Sequence, residues 1–227
     1  MSDKHTIVYK IKSETYEDFS WKFELQHQSH RCTVTPNSTN NEWQKLENQQ
    51  CSHCPYSSKT NEFCLVAQNM GSISEYFKGI SSIEIFDLEV VIDDVVHFQS
   101  QSSAQRISSA LTGLAISGSG CEHTQFLWPM LQQHSPMASL DDSVLRALSN
   151  MAINYVLNPP EEDFLEFCTT HYQRMHILNK DYSKRMSAIS TQDSLNNGLI
   201  NLDMFIKVIL YNLNNKFEDF IDIYTQR

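Results

Sequence analysis

The residues with the clearest chemical potential lie in CSHCPYSSKTNEFC, residues 51–64, where Cys51 and Cys54 enclose two residues, Pro55 follows, and Cys64 comes ten positions later. A turn of that length aims both sulfurs at one point, and thiolates bind zinc tightly. Pro55 helps to fix the turn, and Cys64 opens a predicted helix whose positive end favours a thiolate. A tetrahedral ion then lacks one ligand. The chain offers Cys121, on the SGSG turn, with His53, His123 and His134 as alternatives. A structural zinc is the leading expectation, ahead of a redox pair, an iron–sulfur site or free thiols. The redox reading lacks the βαβ context of a thioredoxin-like motif. Cys32, in a predicted strand, and Cys168, on a helical apolar stripe, read as small buried hydrophobes.

CEHTQFLWPMLQQHSP, residues 121–136, is a second polar constellation. Its His123 and His134 could bind metal, move protons, or cap and pack. No nucleophile motif or spaced carboxylate pair accompanies them, and GxGxxG, Walker-type, HExxH and GxSxG patterns are absent. His171 sits on an apolar stripe and reads as a core histidine, whereas His176 and the N-terminal histidines read as surface. Asp193 and Asn196 stand at the start of the last predicted helix, where Asp193 suits an N-cap.

These groups sit in a chain of 227 residues, 41% of them hydrophobic, enough for one large domain or two small ones sharing an interface. One compact unit is expected, with a β-rich zinc-knuckle half over 1–102 and an α-helical half over 103–227. MSDKHTIVYKIK is not followed by an apolar export segment, and no stretch reaches the ~18 uninterrupted apolar residues of a spanning helix. The most apolar window, GLINLDMFIKVILYNL, is interrupted by Asn201, Asp203 and Lys207. The expectation is therefore a cytoplasmic chain without membrane insertion. A net charge of −10, with 17 dispersed basic residues, disfavours nucleic acid as a partner. The basic run HILNKDYSKR reads as a solvated helix face. Six cysteines in a chain of this size, without an export signal, suit metal or redox chemistry better than disulfides.

Hydropathy patterning supplies the elements that must position these groups. TIVYKIK, SWKFELQH and RCTVTP alternate as strands of a meander, with Trp21, Phe23 and Leu25 on one face. A polar connection over 36–50, anchored by Trp43 and Leu46, leads to Cys51. Phe63, Val66, Ala67, Met70, Ile73 and Phe77 follow helical spacing with an interruption near Gly71, and residues 82–101 alternate again around a hairpin turn at Asp93 and Asp94. Beyond Ser103 helices are predicted over 103–117, from Ser139, from the NPPEEDF segment, and over 195–224, the last with one break.

The ordered series of CSHCP (51–55), CLVA (64–67), Gln105 with SSALTGLAISGSGC (108–121), WPM (128–130), HSPMA (134–138) and DSLNNGLINLD (193–203) resembles a bacterial family that is a domain of unknown function. Glu122, Met137 and Ser194 depart from its pattern, and either Asn196 or Asn197 fills its last position. The resemblance implies that Cys121 is the fourth ligand beside Cys51, Cys54 and Cys64. It also implies that Gln105, His134, Asp193 and Asn196 are ligand-binding candidates. The expected architecture is α+β: an N-terminal antiparallel β-sheet with a zinc knuckle, followed by a helical half. The expected function is a non-catalytic, zinc-stabilised binding or regulatory module for a protein partner or small molecule. The alternative is a hydrolase using His134 with Asp193 or His123 beside the metal.

Overall fold

Alternating apolar residues give five strands: β1 (His5–Lys12), β2 (Phe19–Gln26), β3 (Arg31–Thr35), β4 (Ile85–Ile92) and β5 (Val95–Ser103). They appear in a computed structural model that describes residues 5–37 and 41–218. The sheet order is β3-β2-β1-β4-β5, antiparallel throughout. Successive side chains point to opposite faces. Ile7, Tyr9 and Ile11 therefore share one buried face with Trp21, Phe23 and Leu25, and Tyr9 pairs across the ladders with both Trp21 and Val90. The β4–β5 turn falls at Asp93, whose backbone is left-handed (φ 51°). Its carboxylate accepts hydrogen bonds from the Thr6 N–H and the His5 ring.

Between β3 and β4 lie α1 (Leu65–Asn69) and α2 (Gly71–Phe77), separated at Met70 where the sequence predicts an interruption. The helical half comprises α3 (Ala104–Ser117), α4 (Trp128–Gln132), α5 (Leu140–Leu157), α6 (Phe164–Ser187) and α7 (Ser194–Asn214). Local capping sets several starts. The Ser103 hydroxyl accepts from the Arg106 N–H, Ser139 and Asp142 cap one another reciprocally, and Asp163 accepts from the Glu166 N–H. Helix α7 stops at Asn214 and is followed by positive φ at Lys216 and Phe217. The part of the expected last helix beyond 218 lies outside the described residues. Sequence patterning assigns no element to EHTQFLWPM, which forms a 3-10 turn (Glu122–Leu127) running into α4 with Pro129 in its first turn.

One apolar core joins the inner sheet face to α2 and α3 and to Leu178, Tyr182 and Leu199 of α6 and α7. Each of its fully buried large side chains, such as Phe77 and Phe86, contributes roughly 1.5–3 kcal/mol. A second core packs α5, α6 and α7 around Val144, Tyr172 and Ile209. The first core places the sheet edge directly against the α3–α4 connection. The Cys32 N–H donates to the Gly118 carbonyl at 2.7 Å, an approach in which a Cβ at position 118 would collide with the Cys32 sulfur. Cys32 and Cys168 are buried within the two cores. Among the described residues no helix is long and apolar enough to cross a membrane. The architecture is α+β, with the sheet in the N-terminal half and helices in the C-terminal half.

Candidate functional site

The cysteines are carried by three short segments rather than by regular elements. Residues 44–46 and 62–64 approach as a single antiparallel bridge: the Leu46 N–H donates to the Glu62 carbonyl and the Cys64 N–H to the Gln44 carbonyl. Cys64 then serves as N-cap of α1 in an extended conformation (φ −72°, ψ 125°). The CSHC segment closes with the Cys54 N–H donating to the Cys51 carbonyl at 3.1 Å. Its orientation is set by α6, where Asp181 accepts from both the Ser52 N–H and its hydroxyl at 2.8 Å. Lys184 holds the other Asp181 oxygen, and these bonds keep the carboxyl down at about 2. Cys121 follows Gly120, whose φ of +75° a side chain would strain, and the Tyr56 hydroxyl bridges the Gly120 carbonyl and the Glu122 N–H.

All six cysteines are free thiols. Burial pushes Cys51 up to about 12, and the charges of Cys64, Cys54, Asp181 and Cys121 act in the same direction. Burial likewise pushes Cys121 up to about 12, with Cys64 and Cys54 adding to it and the His123 backbone N–H, bonded to the sulfur, opposing it. The four sulfurs thus share one neighbourhood. Among the described residues, however, no three Cys, His, Asp or Glu side chains are arranged as a metal cage. The cluster is four converging thiols without a formed coordination sphere, and no zinc knuckle is shown.

Two features bear on whether this donor set suits a zinc ion. The Tyr182 hydroxyl is fully buried beside Cys64 and Cys51 and has no hydrogen-bond partner among the described residues. A thiol is a poor acceptor for it, whereas a metal-bound thiolate is a good one. The rings of His53 and His123 stack beside the cysteine segments, with centroids 4.0 Å apart. Each Nε2 faces a backbone carbonyl at 2.9 Å, that of Arg174 for His53 and that of His53 for His123. A ring nitrogen facing a carbonyl must carry a proton, so Nε2 is the donor in both rings, and among the described residues both Nδ1 atoms are buried without partners. Burial, then His123, lowers the His53 pKa, which keeps that ring neutral. The residues fit a zinc ion in donor chemistry and in the unused polar groups around them.

Apart from the cysteines lies a cleft of about 410 Å³ between α3, the α4–α5 connection, α5 and α7. Gln105 and His134 both line it. Gln105 bonds Asn201, and His134 Nε2 meets the Tyr9 hydroxyl at 2.6 Å. Burial makes Tyr9 a still weaker acid and leaves its phenol protonated; among the described residues the hydroxyl has no other acceptor, and a neutral His134 ring satisfies it by accepting at Nε2. Burial, with Arg146 next in effect, drives His134 down to about 3. A folded-state pKa below the usual value near 6.5 means that the unfolded chain binds the proton more readily. The neutral ring's contribution is complete above about pH 6.5 and erodes as pH falls from there toward 3. His134→Gln, which keeps an acceptor for Tyr9, is expected to flatten the fall of Tm between pH 6.5 and 4; parallel Tm curves for the two proteins would refute the assignment.

Asp193 and Asn196 are not among the residues lining the cleft. Asp193 does not cap α7 through its side chain; it accepts from the Ser82 N–H at 2.7 Å, from the Ser82 hydroxyl and from Asn197. It therefore ties the start of α7 to the segment before β4. Asn196 accepts from the Ser187 hydroxyl at the end of α6. His134 shares no hydrogen bond or ring contact with Asp193 or with His123. The structure brings together the four cysteines in one place and Gln105 with His134 in another. His171 bonds the Phe167 carbonyl and packs on Phe126 and Phe167. Sequence reasoning passed over Arg106 and Arg146, which line the cleft, and Tyr9, which orients His134. The only sequence signal for the arginines is weak: no other Lys or Arg occurs between them.

No curated protein and no solved structure matches the chain. The family model described as "Domain of unknown function (DUF6901)" matches residues 7–225, nearly the whole chain, and the protein belongs to that family.

Proposed function

We propose that the protein is a non-catalytic binding or regulatory module of the cytoplasm, in which a structural zinc ties the sheet to the helices and a small ligand occupies the cleft. The observation that carries this reading is the cleft itself. Its size falls in the range of small-molecule sites, its body is apolar, and a few polar groups converge on it. No Cys, Asp or Glu lines it among the described residues, which favours binding over acid–base chemistry. Zinc bound by Cys51, Cys54, Cys64 and Cys121 would supply cross-linking, since four thiolates leave no open position. The chain's own residues prepare that site: Asp181 holds the CSHC turn, the Gly120 turn presents Cys121, and Tyr182 offers an unused donor to the sulfurs. Free thiols are in keeping with a reducing compartment.

The test is a screen of small organic fragments against the intact chain, observed through backbone amide resonances. Shifts should concentrate at Gln105, His134 and Asn201. The binding reading fails if no fragment shifts these residues, or if every hit maps elsewhere.

A further inference from the structure

The cleft carries a charge pattern opposite to that of the molecule. The chain has a net charge of −10, yet among the described residues the only charged ones lining the cleft are Arg106 and Arg146. Neither forms an ion pair among the described residues. Arg106 donates one bond, to the Met137 carbonyl at 3.2 Å, and Arg146 donates one, to the Gln133 carbonyl at 2.6 Å. The Arg146 Nε–H is buried with no partner. Asp142, one helical turn earlier on α5, acts on Arg146 through its charge but forms no ion pair with it; its Oδ2 accepts from the Ser139 hydroxyl at 2.7 Å and from the Ser139 N–H. A guanidinium has five N–H donors in a planar fork, so each arginine, bonded once within the protein, keeps donors that a ligand can take from solvent.

The neutral polar groups have the same bias. Because Tyr9 donates to His134 Nε2, the remaining proton of the neutral ring lies on Nδ1 as a donor. Ser103 and Ser139 mark the N-termini of α3, 14 residues long, and α5, 18 residues long, and both serines line the cleft. The N-terminal ends of two long helices thus border the arginine-bearing region, that of α3 without an acid in its first turn and that of α5 carrying Asp141 and Asp142. Further along α3 the lining turns apolar, with Leu114 joined by Leu131 of α4 and Leu202 and Phe205 of α7.

We infer that the ligand is an amphiphile with a single anionic head, a carboxylate or a phosphate monoester, held by Arg146 and Arg106, and an apolar body lying along α3 toward Phe205. This rests on the cleft being the binding site proposed above. The volume suits a ligand of roughly ten to twenty heavy atoms. A bare inorganic anion would leave the apolar part of the cleft unfilled, and a cation would meet two arginines and, among the described lining residues, no carboxylate.

Calorimetric titration of the intact wild-type chain with decanoate, decyl phosphate, decanol and decyltrimethylammonium tests the inference, each below its micelle concentration. An anionic head should bind about 10- to 100-fold tighter than decanol, as expected for hydrogen bonds to charged groups. The ammonium compound should not bind. The tighter of decanoate and decyl phosphate identifies the source of the anion. Arg146→Met should reduce the anion to the affinity of decanol without changing decanol itself; if that variant does not fold, the wild-type series decides alone. Equal binding of decanol and decanoate overturns the anionic head and leaves the binding site standing. Failure of all four probes in a protein that does give fragment shifts at Gln105 and Asn201 also overturns only this inference. Failure of both experiments removes the site as well.

Discussion

Cys121→Ser is expected to remove stoichiometric zinc from the purified protein and to lower its Tm by roughly 8–16 °C, corresponding to about 4 kcal/mol for a chain of this length. The physical basis is that a metal site assembled from distant segments exists only in the folded state, so metal affinity becomes folding free energy. Here the segments are the CSHC turn, the cap of α1 and the turn after α3. Loss of one thiolate from a four-sulfur set leaves the ion one ligand short, and desolvation together with the neighbouring sulfurs then holds Cys51 in its protonated form. The wild-type chain treated with a chelator should show a similar fall. Cys168→Ser, in the α5–α6–α7 core, should keep its zinc and serves as the control for substitution at a buried cysteine. Full zinc in Cys121→Ser together with its loss in His134→Ala would reassign the ligand set. Absence of metal from anaerobically prepared wild-type protein would eliminate the site.

The sheet was legible in the sequence because period-two alternation in β1 and β2 records a single buried face, and a one-residue slip would expose Trp21 and Phe23. The breaks at Gly71 and at Asp93 were legible for similarly local reasons. Less accessible were the features set by tertiary contact. EHTQFLWPM has no clean period, since its 3-10 turn is held by Thr124 bonding back to the Cys121 and Ile116 carbonyls. Asp193 has the sequence position of a helix cap, yet its carboxylate is taken by Ser82, far away in the chain. No local pattern distinguishes those two fates. The spacing of Cys51 and Cys54 showed that two sulfurs could converge, while the contribution of Asp181 and Tyr182 depends on α6 crossing the turn. The cleft was the least legible part. Its arginines come from the start of α3 and from the second turn of α5, separated by the whole α3–α4 region, and only packing reveals that neither forms an ion pair among the described residues.

Arg185→Met is expected to destabilise the protein by about 3–5 kcal/mol, the cost associated with removing one partner from a buried charged interaction. Arg185 is 2% exposed and lies one helical turn from Asp181 on α6. Nη1 donates to the carbonyls of Trp43 at 2.5 Å and Lys45 at 2.8 Å, and Nη2 to those of Gln49 at 3.3 Å and Leu46 at 3.5 Å. The guanidinium thereby organises the polar connection that delivers the chain to Cys51, in a segment with few apolar anchors of its own. Methionine fills much of the volume but supplies no donor, so the buried Trp43 and Leu46 carbonyls lose this partner, while that of Lys45 keeps only the Asn48 N–H. Lysine has a donor but no planar fork and cannot serve both sides of the loop, so Arg185→Lys should recover only part of the loss. Chemical denaturation measures the total effect. Amide exchange locates it, with protection at Leu46 and Cys64, whose N–H groups form the adjacent bridge, falling before that of the sheet. A chelator should also strip zinc faster from the variant, because loosening 43–49 frees Cys51 to leave the cluster. Unchanged stability, or uniform acceleration of exchange through the sheet, would show that Arg185 is not the clamp of this loop.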